Sequence, residues 1–357
     1  MRYLVRFLMV ICCFLTACTP SIPFQQAPTL QVQPIWSGAV GENHGLLLTP
    51  ALQHNRLIAI NAAGEVFVFN ATDGELLQRW YLPVPITTGV AAIDNLFFVA
   101  GEDATLYAYS GTDQQLQWSF LLANVPYGAP VAQNNFVYIK NLDGNLYALK
   151  ADTGHLVWNQ HGYGAGISEQ RASQVALGQQ LVVASYQNGL IQAFDRATGQ
   201  LRWQKIVESI FATPVLDAAD NVYVATIGHY LYAYDKNGNA LWQRLLATHN
   251  DLLLVQNVLY ITDDDGQVWA IQAKTGQVVW VQTALQGDIL SPPNNIGGFI
   301  VFGDHVGRVF WLGRTDGSYA ASANMSHAPI AVKPLVLADR VYITDQNGLI
   351  TSYQISW

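Results

Sequence analysis

Three cysteines stand in a chain of 357 residues, and all three fall within its first eighteen positions, at Cys12, Cys13 and Cys18. No disulfide can brace the body of the protein, and no C-x-x-C pair offers a redox or zinc centre. Charge is sparse as well, with Asp, Glu, Lys and Arg making up 12% of the sequence. Acids outnumber bases by 25 to 17 and no Lys/Arg run occurs. That balance argues against nucleic acid as a partner, because neutralising phosphate charge dominates such binding. Helical spacing of apolar residues is missing throughout, and no apolar run approaches the ~20 residues that cross a bilayer. The eight histidines (44, 54, 155, 161, 229, 249, 305 and 327) show no i, i+4 pairing, which leaves zinc without a ligand set. A G-x-S-x-G nucleophile elbow is also missing.

The first residues do carry a pattern. Arg2 and Arg6 precede an apolar stretch from Val10 to Leu15, followed by Leu15-Thr16-Ala17-Cys18. A charged start, a short apolar core and small residues before a cut describe a secretory signal peptide, expected over residues 1–17. Leu-Thr-Ala-Cys also resembles the bacterial lipobox, whose cysteine is lipidated and becomes the first mature residue. Cys18 is thus the expected lipidation site. Without Arg2 and Arg6 the mature chain keeps 15 basic and 25 acidic residues, a net charge of −10. The stretch from Thr19 to Pro34 holds four prolines and no charge. Such a segment extends at ~3.1 Å per residue, so roughly 50 Å is within its reach. Residues 18–33 are expected as a lipidated tether, and 34–357 as the folded domain.

One unit recurs eight times in that domain. Aligned on the hairpin before the third strand, the copies fall at Gly64, Ala104, Gly144, Gly189, His229, Gly266, Gly307 and Gly348. A period near 40 suits four-stranded propeller blades or paired helices. The third copy decides for strands. Val137-Tyr138-Ile139 is β-branched and aromatic, Asp143-Gly144 is a two-residue hairpin signal, Leu146–Leu149 and Leu156–Trp158 follow, and Ala129–Ala132 precedes. The middle strands are apolar on both faces, as a blade packed between two others requires. The last copy ends after three strands, while residues 34–40, with Trp36, are unassigned. Pairing the two would remove two exposed sheet edges. The expected fold is all-β: an eight-bladed β-propeller of four-stranded antiparallel blades, its last blade closed by the N-terminal strand.

The fourth copy, Ala193-Phe194-Asp195-Arg196-Ala197-Thr198-Gly199-Gln200-Leu201-Arg202-Trp203, resembles the PQQ-type propeller repeat, A-x-D-x-x-T-G-x-x-x-W, whose tryptophan docks between blades. Gln272 and Lys150 are the departures in two other copies, while Gln78 and Ala321 occupy the tryptophan position in the first and seventh. Lipobox, tether and eight such blades together resemble the BamB family, lipoprotein subunits of the outer-membrane β-barrel assembly complex. The likeness spans nearly the whole chain and is closest in its C-terminal third. It implies a non-enzymatic scaffold, lipid-anchored on the periplasmic side of the outer membrane, with no cofactor. Thr19 after Cys18 agrees with outer-membrane sorting. The implied partner is the complex's membrane-barrel subunit with periplasmic domains (BamA-like). Contacts with it are implied for Ile167, Glu169, Gln170 and Arg171, and for Ser209, Ile210 and Phe211 before Thr213-Pro214-Val215. The family's acidic pair is missing from the second region.

Other readings attach to the same residues. Quinone-dependent periplasmic oxidoreductases share the repeat, but the vicinal cysteine pair that the resemblance to those enzymes implies exists here only as Cys12-Cys13, in the expected signal peptide. A propeller that binds another periplasmic ligand is the third possibility. Thr262–Gln267, TDDDGQ, has the oxygen ligands calcium wants but not the EF-hand spacing, and reads as a hairpin turning at Asp265-Gly266. Gly162–Gly166, GYGAG, imitates a phosphate loop without a following helix and reads as a loop between blades. The step from Gly144 to Gly189 is the longest in the chain, and its extra length falls between Trp158 and Val175. That places Ile167 and Arg171 on an expected surface loop, and Arg is favoured at interface hot spots.

Overall fold

A computed structural model describes residues 30–41, 48–126, 128–161 and 173–356. Thirty-two strands form eight separate four-stranded antiparallel sheets, and no described residue is helical. Blades 1 to 7 run through the chain in order, from Ala51–Tyr81 to Asn294–Asn324, and each uses four consecutive strands. Their second and third strands are buried almost throughout: Leu57 to Ile60, for example, has no exposed member. Fourth strands alternate with solvent, as Leu116–Leu121 does. This follows from the radial stacking of sheets. Inner strands meet neighbours on both faces, while the outermost strand has a free edge. Eight apolar clusters fill the seams; one packs Tyr138, Ala148, Trp158, Val182 and Phe194 between blades 3 and 4.

Blade 8 closes the ring. Leu335–Leu337, Arg340–Thr344 and Leu349–Ser356 supply three strands, and Gln31–Ala39 from the other end of the chain supplies the outermost. Pairing runs from Gln31 opposite Ser356 to Ala39 opposite Leu349, with a register shift between Pro34 and Trp36. The closing strand therefore starts at Gln31, not at residue 34, and Leu30 is also buried, its N–H donating to the Ala320 carbonyl. The last residues of the expected tether belong to the blade. Pro34 suggested a later start, but proline is tolerated on an edge strand and at a bulge, where no ladder bond is lost. Val32 packs against the blade 7–8 core.

The repeated tryptophan staples one blade to the next. Trp36 Nε1 donates to the Ala71 carbonyl (3.0 Å), and Trp118, Trp158, Trp203, Trp242 and Trp280 repeat the bond to Ala151, Arg196, Lys236, Ala273 and Arg314. Each indole lies over the glycine of the receiving turn, so closely that a Cβ there would sit 2.5–2.8 Å from the ring. Glycine is needed at these turns for that reason and for its positive φ. Two seams lack the staple, and each has a visible cause. Blade 8 has no turn before its outermost strand, because that strand comes from the N-terminus, and its neighbour carries Ala321 opposite Trp311. Blade 2 has Gln114 (φ 65) where the glycine should stand, and blade 1 correspondingly offers Gln78. Gln78 Nε2 donates to the Thr112 carbonyl instead (2.9 Å), while its Oε1 is buried without a partner.

Candidate partner-binding face

The antiparallel order gives the ring two unlike faces. One carries the hairpins between second and third strands together with the connections between blades. The other carries the remaining turns. On the first face lie the five most exposed large apolar residues among those described: Tyr81, Leu121, Ile206, Leu245 and Ile289, each 66–78% exposed. Four of them end fourth strands, opposite Glu65, Thr105, Leu190 and Tyr230, which begin third strands just after the hairpin. Ile289 lies between blades 6 and 7, its carbonyl accepting from the His305 N–H. Ile206 and Leu245 stand on neighbouring blades, 4 and 5. The sequence held a signal for this: each is the third residue after the staple position, which itself follows the register shift of its strand.

The connection between these two blades carries three of the expected contact residues. Ser209 is half-buried, and its carbonyl accepts from the Ile227 N–H (3.0 Å). Ile210 is 1% exposed and packs with Val183, Ile191, Trp203 and Val224 in the blade 4–5 seam. This burial removes it from the surface it was expected to line, because strand-like alternation turns every second side chain inward. Phe211 is half-buried, its ring tilted against that of His249 with centroids 5.7 Å apart. His249 Nδ1 lies 2.8 Å from an Asp264 carboxylate oxygen. Just beyond, the Thr213 N–H donates to Asp251 at 2.6 Å, so an acid does reach this strand, from the next blade. Ile167, Glu169, Gln170 and Arg171 lie outside the described residues, as do Gly162–Gly166 and Cys18.

The acidic hairpins are structural. Asp263 Oδ1 accepts from the backbone N–H groups of Asp265 and Gln267, and its other oxygen accepts from Trp269 Nε1. Asp304 and Asp345 do the same for their own hairpins. These carboxylates close turns, which accounts for TDDDGQ without calcium. Burial raises the Asp263 carboxyl above its usual range despite the bonds it accepts. Among the described residues, no group of three or more His, Cys, Asp or Glu is placed to hold a metal ion. One nucleophile and amine do meet, Ser173 and Lys140 at 2.9 Å. Both are buried, as is the adjoining Ser185, so no substrate carbonyl can approach the hydroxyl in this arrangement.

Comparison with known proteins bears on the chain as a whole. A family model described as "Outer membrane protein assembly factor BamB" matches residues 62–282 and 187–356. The chain belongs to the BamB family. Relatives named as BamB include one from Moranella endobia, 26% identical over 88% of both chains. Another, from Yersinia pestis, is 24% identical over 94% of this chain and 91% of its own. That of Escherichia coli K12 is 25% identical over 93% and 90%. In three dimensions the ring matches the crystal structure of BamB from Moraxella catarrhalis, with a TM-score of 0.77 at 22% identity over 91% of this chain and 98% of that one. It also matches a quinohemoprotein alcohol dehydrogenase from Pseudomonas putida HK5, with a TM-score of 0.74 at 12% identity over 90% and 76%. Both structural likenesses are of fold alone; the family model is what places the chain with BamB.

Proposed function

We propose that this chain is a non-enzymatic scaffold of the outer-membrane β-barrel assembly machinery, held on the periplasmic side of the outer membrane by a lipid on Cys18. It docks the complex's membrane-barrel subunit (BamA-like) through the face that bears the inter-blade connections. The observation that carries this reading is the BamB family match over most of the propeller. The concentration of the five most exposed large apolar residues on one face supports the docking side, because large exposed apolar side chains mark interaction sites. Contacts are assigned to Ile206, Leu245, Ser209 and Phe211 on blades 4 and 5, with Ile167, Glu169, Gln170 and Arg171 from the preceding connection. Recognition here needs no cofactor: a rigid ring presents side chains, and their burial against the partner supplies the affinity.

The test is co-purification from detergent-solubilised outer membrane. Ile206→Asp, Leu245→Asp and Arg171→Glu should each reduce recovery of the barrel subunit about tenfold, the scale of a hot-spot loss, with melting temperatures near wild type. Retention of the subunit at wild-type level by all three variants would move the contact elsewhere. The fold likeness to a quinohemoprotein dehydrogenase keeps one rival in view. Incubation with pyrroloquinoline quinone and calcium separates it: stoichiometric cofactor binding would favour the oxidoreductase.

A further inference from the structure

Lys140 ends the second strand of blade 3, Phe136–Lys140. Its counterparts at the ends of the other second strands are Ile60, Ala100, Ser185, Ala225, Thr262, Gly303 and Thr344. None of these is charged, so blade 3 alone buries an amine at this place. Lys140 is 8% exposed. Its Nζ donates to Ser173 Oγ at 2.9 Å and to the Ser185 carbonyl, both of blade 4. The Tyr186 ring lies 4.8 Å from the same nitrogen. Ser173 Oγ also donates to the Ser185 carbonyl (3.0 Å) and accepts from Ser185 Oγ (3.0 Å). Lys140 thereby ties the end of one second strand to the end of the next and to the approach to blade 4's first strand.

This cage consists of neutral oxygens and one aromatic face. Tyr186 faces the amine, its phenol donating to the Gly144 carbonyl (3.0 Å); on the adjoining hairpin and strand end, Asp143 accepts from Asn124 (2.9 Å) and His161 is bonded to Asn145 (2.8 Å). Among the described residues, no carboxylate forms an ion pair with Lys140. A buried ammonium without a counter-charge is costly, and two neutral acceptors with a ring offset only part of that cost. The neutral amine avoids that cost and, with two N–H groups, can still donate to both Ser173 and the Ser185 carbonyl.

We propose that Lys140 is a proton-operated latch on the seam between blades 3 and 4: the neutral amine holds Ser173 and the end of blade 4's second strand closed, and protonation loosens them. Burial alone brings the amine down to about 7, which puts the transition within a range a secreted protein meets. The sign follows from linkage. A base held below its ordinary value favours the fold when neutral, so the seam weakens as pH falls from the free lysine value of about 10.4 towards the folded one, and levels off below it.

Hydrogen exchange of the purified full chain tests this at about pH 5.5 and about pH 8.5, with intrinsic rates corrected for. Peptides spanning residues 173–186 should exchange at least about tenfold faster at the lower pH, since opening rises up to tenfold for each unit that pH falls between the free lysine value and the folded one. The matching peptides of blade 2, residues 88–101, which hold no lysine, should not. Lys140→Met should abolish the dependence. Equal wild-type rates at both values, or an unchanged dependence in Lys140→Met, would overturn the latch. Should Lys140→Met fail to fold, side-chain carbon resonances of the lysines decide. One lysine titrating near neutrality in the wild type, and displaced in Ser173→Ala, supports the latch. If every lysine titrates above about pH 9, the proposal is wrong.

Discussion

Replacing Gln78 with Trp and Gln114 with Gly should rebuild the missing staple between blades 1 and 2, and only the pair should do so. With Gln114 in place, its Cβ falls where six other seams have a glycine under an indole at 2.5–2.8 Å. Gln78→Trp alone should therefore cost about 1–3 kcal/mol through overpacking. Gln114→Gly alone relieves a left-handed backbone (φ 65), worth about 1–2 kcal/mol. The unfolded chain gains flexibility worth about 0.5–1 kcal/mol, so the net effect is near zero. Together, the indole buries about 200 Å² at about 25 cal/mol per Å². About half of that is already gained by the glutamine it replaces, and removing the unpartnered Gln78 Oε1 adds about 1–3 kcal/mol. The new Nε1–H has an acceptor in the Gly111 carbonyl, which Arg56 now uses and which has a second lone pair. Losing the Gln78–Thr112 bond takes back about 1 kcal/mol, so the double variant should be more stable than wild type by about 3–4 kcal/mol, or about 5 °C in melting temperature for a chain of this size. Thermal and urea melts of all four proteins give the coupling, expected at about 4–7 kcal/mol from the double gain less the two single effects. Additive single effects would refute the claim that glycine licenses the tryptophan.

Closure can be probed from the other side. Deletion of residues 31–39 should expose the edge of Leu349–Ser356 and promote aggregation, while Trp36→Ala should lower stability by about 3–5 kcal/mol in thermal melts, since Trp36 is only 8% exposed. A deletion as stable as wild type would contradict the closing role. Glu65 is held below the usual carboxylate range chiefly by its bond from Arg79. That stabilisation is present above the unfolded value and is lost as pH falls through the folded one, so Glu65→Gln should flatten the acid limb of a pH–stability curve. An identical acid limb would show the pair to be inert. Cys18→Ser should release a folded protein from the membrane, read by fractionation; persistence in washed membranes lacking the partner would argue against the lipid.

Much of this protein is legible from short-range pattern. The two-residue hairpin at Asp143-Gly144 and the T-G turn four residues before Trp158 and Trp203 depend on local backbone geometry, so eight copies and their strands can be counted directly. The missing fourth strand after Tyr353 and the unassigned Trp36 together disclosed closure. Other features needed the blades brought side by side. The strand boundary at Gln31 rests on Ser356, more than 300 positions away. That Gln78 and Gln114 are one adjustment, not two, appears only when their seam is seen. Ile210 and Phe211 are neighbours in a short apolar stretch, yet one enters the core and the other lies against the His249 ring, because their directions are set by the next blade. Lys140 reads as an ordinary strand-end lysine until Ser173, Ser185 and Tyr186 enclose it. Sequence fixes each blade through contacts among residues close in the chain. The faces of the ring, and what lies buried between blades, come from contacts about forty residues apart, which no local periodicity records.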